Sequence, residues 1–246
     1  MVLARDVNLM LLLKDSASVN VDIQRGRILR RLGYREHDPS ASILSVVSSQ
    51  ITEAYKLIKP VYAYELRGIE GLTEQEVTLK GPLVFSSRVV SYVLSDCKWV
   101  VICLATIGKD LGERIARQAE SGKKLEVLVL DAIGTEAVLQ ISYKLQDRIK
   151  EMTEANGYQA TIRYGPGYCD WHLSQQKVLL QVMDSASFGV ELTESFIMKP
   201  LKSISGVIGI GHFAVNKLPP CLAVCDIRSS CTFKRVNWNP EKKWLL

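Results

Sequence analysis

Gly165, Pro166 and Gly167 stand together between Arg163-Tyr164 and Tyr168, and this run limits the local backbone more tightly than any other in the chain. Proline removes a donor and restricts the residue before it, and glycine opens backbone angles that side chains avoid. The segment therefore belongs to neither a helix nor a central strand. A second irregular, polar segment follows at Leu192-Thr-Glu-Ser-Phe-Ile-Met-Lys-Pro200 and runs directly into Ser203-Ile-Ser-Gly206. Both read as ligand-holding backbone, the first with a cation, a phenol and a flat ring at its ends. A tight surface turn joining a strand to a helix is the alternative.

The pattern around these segments alternates helix and strand. Ile23, Ile28, Leu29 and Leu32, spaced by charged residues, predict an amphipathic helix that ends at Gly33. A second helix begins after Asp38-Pro39-Ser40, runs to Leu57 or Ile58 and is stopped by Pro60. Strands are expected at Val61–Leu66 and Val77–Leu79, a helix at Ser86–Leu94, and an almost wholly apolar central strand at Trp99–Ala105. Asp110 suits the start of a helix over Leu111–Ala119. Gly122 then precedes a long helix, roughly Leu125 to Thr153, whose early part is apolar enough to cross the core. Ala160–Arg163 reads as a strand entering the glycine-proline segment, a helix starts at Ser174, and Ile204–Ile210 is a glycine-rich strand. Several short strands without a regular βαβ repeat indicate an α+β or mixed-sheet architecture.

With 246 residues and 47% hydrophobic content, the chain can bury a core without disulfides or metal. No linker-like stretch or internal repeat divides it, so it is expected as an N-terminal helical extension over residues 1–60 and a body over 61–246. The formal net charge is +5, from 31 basic and 26 acidic residues, and their interspersion favours solubility over a nucleic-acid track. Arg25, Arg27, Arg30, Arg31 and Arg35 form the one dense basic patch, read as a solvated helix face or as a docking site for an acidic partner. The apolar run Leu9–Leu13 is too short for a signal segment, and no stretch reaches the 18 or so apolar residues of a membrane span. A cytoplasmic location without membrane attachment is expected.

Motif chemistry is mostly exclusion. Gly206-Val-Ile-Gly209-Ile-Gly211 lacks the strand-turn-helix context of a dinucleotide site, and there is no phosphate loop, zinc-protease pattern or nucleophile elbow. The three histidines argue against a histidine-rich metal centre. Cys221, Cys225 and Cys231, with Cys169, could supply thiolates to zinc or an iron-sulfur cluster, form a redox pair, or remain unligated structural thiols. Asp131 and Glu136 interrupt the apolar part of the long helix, where an ionisable group must be paired, solvated in a cleft or protonated. An organic cation bearing a purine fits these features better than a metal does. Glu136 or Glu194 could face positive charge, Arg163 could pair with a carboxylate, Tyr168 could cover a ring, and backbone at Gly165, Gly167, Ser205 and Gly206 could meet adenine edges.

Taken in order, Asp131-Ala-Ile-Gly-Thr-Glu136, Arg163-Tyr-Gly-Pro-Gly-Tyr168, His172-x-x-Gln175-Gln176, and Gly189 to Pro200 with Ser203-Ile-Ser-Gly206 resemble the activation domain of vitamin B12-dependent methionine synthase. The resemblance spans roughly Leu125 to His212. It implies a single C-shaped α+β domain with a mixed, largely antiparallel sheet that binds S-adenosylmethionine. It also implies docking on a cobalamin module, so that cob(II)alamin, once reduced by an electron donor, is remethylated. By motif, Glu136 corresponds to the carboxylate near the ligand's amino group and Arg163 to the arginine holding its carboxylate. Tyr168, Gly165 and Gly167 correspond to the ligand-facing loop, and Glu194 and Ser195 to the segment near the ligand and corrinoid face. The chain departs from the larger enzymes at Cys169-Asp170-Trp171 and after His212.

No pterin- or homocysteine-binding module and no Asp-x-His-x-x-Gly cobalamin motif is present. The resemblance therefore implies a separate activation subunit, inactive in methionine synthesis alone. Its partners would be a cobalamin-binding methyltransferase subunit and a reductase or other electron donor. An interaction scaffold for another corrinoid methyltransferase and an iron-sulfur or redox accessory protein built on the C-terminal cysteines are the alternatives.

Overall fold

The computed structural model describes residues 14–35, 37–81, 83–212 and Val224. Strand β5, Cys97–Thr106, organises the rest. Trp99, Val101, Cys103 and Ala105 enter one apolar core, and Val100, Ile102 and Leu104 enter another on the opposite face. A strand covered on both faces needs apolar residues at every position, which accounts for the unbroken run from Trp99 to Ala105.

Strand β2, Val61–Leu72, lies along one edge of β5, and β9, Ser203–Gly211, lies along the other. The sheet is completed by β1 (Lys14–Ser18), β3 (Glu76–Leu79), β4 (Leu83–Ser86) and β6 (Gln159–Ala160). Its order is β4-β3-β2-β5-β9-β6, with β1 also on β2. Every one of these pairings is antiparallel. Helices α1 (Arg25–Arg31), α2 (Ala41–Leu57), α4 (Asp110–Glu120) and α5 (Lys124–Glu154) cover the first face. Helices α3 (Arg88–Leu94) and α6 (Gln176–Met183) cover the second. The α+β class with a largely antiparallel sheet is the one expected.

Local signals fix most helix starts. Ser40 accepts from the Ile43 N–H at 3.4 Å and Ser87 from the Val90 N–H at 3.1 Å, so both serve as N-caps. The Ser87 cap moves the start of α3 to Arg88, two residues beyond the expected position, and leaves Leu83–Ser86 to form a strand. Helix α5 has 31 residues, so it runs about 46 Å at 1.5 Å per residue. Ile133, Ala137 and Ile141 are fully buried along it, beside Ile28 of α1 and Val47 of α2 in the same core. Full burial of such a side chain contributes roughly 1.5–3 kcal/mol.

Three segments differ from expectation. A strand, β1, precedes the expected N-terminal helices and pairs with Val61–Glu65 of β2. The strand expected at Ala160–Arg163 stops at Ala160, because the Arg163 N–H goes to the side chain of Gln146 at 2.9 Å instead of to a neighbouring strand. Glu191–Leu192 (β7) and Met198–Lys199 (β8) form a small separate hairpin within the second irregular segment.

Candidate functional site

The glycine-proline segment is bound to the edge of β9 through Arg163. Its Nη1 donates to the Ser205 carbonyl at 2.7 Å, its Nε donates to the Ser142 hydroxyl of α5 at 3.2 Å, and its N–H reaches Gln146 one turn further along the helix. Tyr164 exchanges two backbone hydrogen bonds with Val207, at 2.9 and 2.7 Å. The approach is close enough to require glycine. A Cβ at Gly206 would stand 2.5 Å from the Tyr164 carbonyl, and one at Gly165 would stand 3.0 Å from both the Ser205 carbonyl and Arg163 Nη1. Gly167 has φ +95°, a left-handed angle that side chains resist.

Beyond the glycines the loop is pinned inward. Trp171 is fully buried, 5.5 Å from the Phe85 ring and 6.2 Å from the Tyr164 ring, centroid to centroid. The Gly167 N–H donates to the Trp171 carbonyl at 2.7 Å. Asp170 accepts from the Ser87 hydroxyl and from the N–H groups of Arg88 and Val89, at 2.8, 2.6 and 3.2 Å, closing the start of α3. With its neighbours held this way, Tyr168 presents its ring outward, 46% exposed and 5.9 Å from the Tyr164 ring.

Ser205 joins the two irregular segments. Its carbonyl holds Arg163, while its hydroxyl donates to Gln176 Oε1 at 3.2 Å. Gln176 Nε2 in turn donates to the Phe196 carbonyl at 3.1 Å, in the turn between β7 and β8. Glu194 and Ser195 are exposed at the tip of that turn. Beneath Gly206, the Cys103 thiol donates to its carbonyl at 3.3 Å. Burial pushes this thiol up to about 11, with the Arg163 charge acting weakly in the other direction, so it is neutral near pH 7.

Glu136 lies on another face of α5. Ser142 and Gln146 point to Arg163, whereas the Glu136 carboxylate, 4% exposed, points to α1. Oε1 accepts from Arg27 Nη1 at 2.9 Å and from Gln140 Nε2 at 3.2 Å, and Oε2 accepts from Arg31 Nε and Nη2 at 3.0 and 2.8 Å. Burial pushes the carboxyl up, but the hydrogen bonds from Arg27, Gln140 and Arg31, with the Arg31 charge, outweigh it and leave the group below its ordinary value. Asp131 is half-exposed and pairs with Lys202 at 2.7 Å. Both helix carboxylates are thus paired.

The structure therefore brings together Arg163, Gly165, Gly167, Tyr168, Ser205 and Gly206, with Glu194 and Ser195 tethered through Gln176. No contact joins Glu136 to Arg163. Sequence reasoning missed Ser142, Gln146 and Gln176, which hold the site, and Trp171, which anchors the loop. The basic patch of α1 is exposed, as a solvated helix face would be, but Arg27 and Arg31 also reach the Glu136 carboxylate, which sequence reasoning did not foresee. Their four-residue spacing places them on one helix face, and a buried carboxylate elsewhere in the chain was the signal that cations had to come from somewhere. Among the described residues no cluster of His, Cys, Asp or Glu could hold a metal, and Cys221, Cys225 and Cys231 lie outside them. Nor is any helix there long and apolar enough to cross a membrane.

Residues 141–217 match the family described as vitamin B12 dependent methionine synthase, activation domain. The resemblance read from the motifs is confirmed. The match takes in Arg163 through Gly206 and leaves Glu136 outside it. Among solved structures, the chain superposes on the MetH reactivation domain bound to AdoHcy with a TM-score of 0.56 and 14% identity, covering 83% of this chain and 82% of the other. That likeness shows an activation-domain fold. Comparison with curated protein sequences gives no match.

Proposed function

We propose that this chain binds S-adenosylmethionine in the Arg163 cradle and acts as an activation subunit for a cobalamin-dependent methionine synthase. Residues 61–246 would form the ligand-binding body and residues 1–60 an extension. The observation that carries the reading is the state of Arg163. Its guanidinium is held by two neutral acceptors, Ser142 and Ser205, and among the described residues its Nη2 makes no hydrogen bond and no carboxylate pairs with it. A half-buried cation fixed by neutral groups is prepared for an anion, and the planar fork suits a carboxylate. The backbone of Gly165, Gly167, Ser205 and Gly206, which lies against Arg163, would meet the purine edge, and the outward ring of Tyr168 would cover its face. Glu194 and Ser195 would form the rim toward the corrinoid partner. The neighbouring reactivation domain bound to AdoHcy, the demethylated form of that ligand, supports this choice.

When bound, the sulfonium makes its methyl group electrophilic. The protein's part is to orient that methyl toward a cobalamin carried by a partner polypeptide, with electrons from a separate donor; positioning and electrostatics outweigh acid-base work. Titration calorimetry tests the reading. Saturable binding of S-adenosylmethionine is expected, and Arg163→Ala should weaken it by about 30-fold or more, the loss typical of truncating one partner of a desolvated charge pair. Absence of saturable binding, both alone and with a corrinoid partner, rejects it. One observation favours a second reading, an interaction scaffold that has lost the ligand: the Glu136 carboxylate is already fully engaged by Arg27, Arg31 and Gln140. Association with a cobalamin protein that is indifferent to ligand would select that reading.

A further inference from the structure

Gln176, the first residue of α6, is 5% exposed and joins two elements with one side chain. The direction of its amide is fixed. The Phe196 carbonyl only accepts, so Nε2 is the end that faces it, at 3.1 Å, and Oε1 is the end that meets the Ser205 hydroxyl, at 3.2 Å. The turn it reaches needs such a tether. β7 and β8 have two residues each and lie outside the large sheet, and a hairpin of that size is marginal alone. Leu192 and Met198 pack against the second core, but Glu194, Ser195 and Ile197 at the tip are exposed. Phe196 itself has φ +62°, a left-handed angle that side chains resist. Within the turn, the Thr193 N–H donates to the Ile197 carbonyl and the Phe196 N–H to the Thr193 carbonyl at 2.9 Å each, and the Ile197 N–H donates to the Thr193 hydroxyl at 3.0 Å. The Phe196 carbonyl is thereby left to Gln176. At the other end of the amide, Ser205 is buried and its carbonyl accepts from Arg163 Nη1 at 2.7 Å.

We propose that Gln176 is a positioning residue that ties the place of the β7–β8 turn to the state of the Arg163 cradle. Two hydrogen bonds, both made by Ser205, separate the guanidinium from the amide, and a third carries the link to the turn. An anion drawn to Arg163 changes its hold on the Ser205 carbonyl, and the Ser205 hydroxyl passes that change to Gln176, so cradle and turn are ordered together. The tether stands on the hydrogen bonds alone. Its response to ligand rests on the S-adenosylmethionine reading above.

The test is hydrogen exchange over residues 191–199, with and without S-adenosylhomocysteine, beside calorimetry of the same ligand. Gln176→Glu keeps an acceptor for the Ser205 hydroxyl but sets a carboxylate oxygen against the Phe196 carbonyl. Without ligand it should raise exchange over 191–199 by about tenfold, the effect of a lost hydrogen bond joined to a repulsion, while residues 97–106 of β5 keep their protection. In the unaltered protein S-adenosylhomocysteine should slow exchange over 191–199 by about threefold; in Gln176→Glu that protection should vanish and affinity should fall by no more than about the same factor, because coupling is reciprocal. Gln176→Met, which lacks both hydrogen bonds, should give the same result and serves if Gln176→Glu does not fold. Unchanged exchange over 191–199 in the unliganded variants overturns the tether. Saturable binding that leaves the turn unprotected in the unaltered protein, or protects it equally in the variants, overturns the coupling alone. Absence of saturable binding to the unaltered protein overturns the ligand reading and the coupling with it, and the unliganded comparison still decides the tether.

Discussion

Replacing Glu136 by glutamine removes the charge that pairs with Arg27 and Arg31 of α1 while keeping the side chain's shape. In the native protein three of the four donors on the carboxylate are guanidinium N–H groups, and hydrogen bonds to charged groups each contribute about 1.5–3 kcal/mol. Three factors reduce the net loss. The arginine heads are 45% and 33% exposed and regain water, the glutamine oxygen still accepts from one of them, and the burial penalty of a carboxylate disappears. Against this, the new amide N–H2 faces a donor. A net destabilisation of about 1–3 kcal/mol is expected, below the ~3–5 kcal/mol of breaking a fully buried pair. For a chain of this size that lowers Tm by roughly 2–4 °C per kcal/mol.

The pH dependence gives the sharper test. Since the Glu136 carboxyl is held below its ordinary value, its contribution is fully present above the unfolded-state value of about 4.3 and is lost as pH falls through the folded one. Denaturant unfolding of native protein and Glu136→Gln, followed by circular dichroism from pH 7 down to pH 3, should show a stability gap that is widest near neutrality and closes in acid. Equal stability at pH 7, or a gap that persists unchanged at pH 3, would refute the reasoning.

Other consequences follow from the same geometry. Gly206→Ala places a methyl 2.5 Å from the Tyr164 carbonyl; a loss of about 1–3 kcal/mol, typical of overpacking, is expected in unfolding experiments, with weakened S-adenosylmethionine binding, and a variant of native stability and affinity would show that the loop is not fixed on β9. Cys103, raised to about 11 from 9.0, should make the native protein lose about 2–3 kcal/mol relative to Cys103→Ser as pH rises from 9 to 11, since the unfolded thiol ionises first; a constant difference across that range contradicts the assignment. Trp171→Ala should destabilise by about 3–5 kcal/mol and raise hydrogen exchange over residues 165–171, whereas a stable variant with a protected loop would remove Trp171 as its anchor.

What was legible in the sequence had a local cause. The β5 strand and the α5 helix announce themselves by runs and spacing, and Ser40 marks its helix start by its hydroxyl. The Arg163 segment was legible because glycine and proline exclude ordinary structure there. What was hidden depends on pairing across long separations. The end of β6 is decided by Gln146, 17 residues before Arg163, and the pairing of Arg27 and Arg31 by a carboxylate 109 and 105 residues away. Neither leaves a trace in a local window. The β7–β8 hairpin, two residues per strand, is too short for any alternation to show.

The central claim is that this chain supplies the S-adenosylmethionine site for reductive remethylation of a partner's cobalamin. The most direct measurement follows the visible spectrum of the partner's cob(II)alamin in the presence of this chain, S-adenosylmethionine and a reductant, with each omitted in turn. Conversion to methylcobalamin that requires all three, and that is slowed by Arg163→Ala, is the predicted result. Conversion at the same rate without this chain, or none at all with the genuine partner and a competent reductant, would contradict the account.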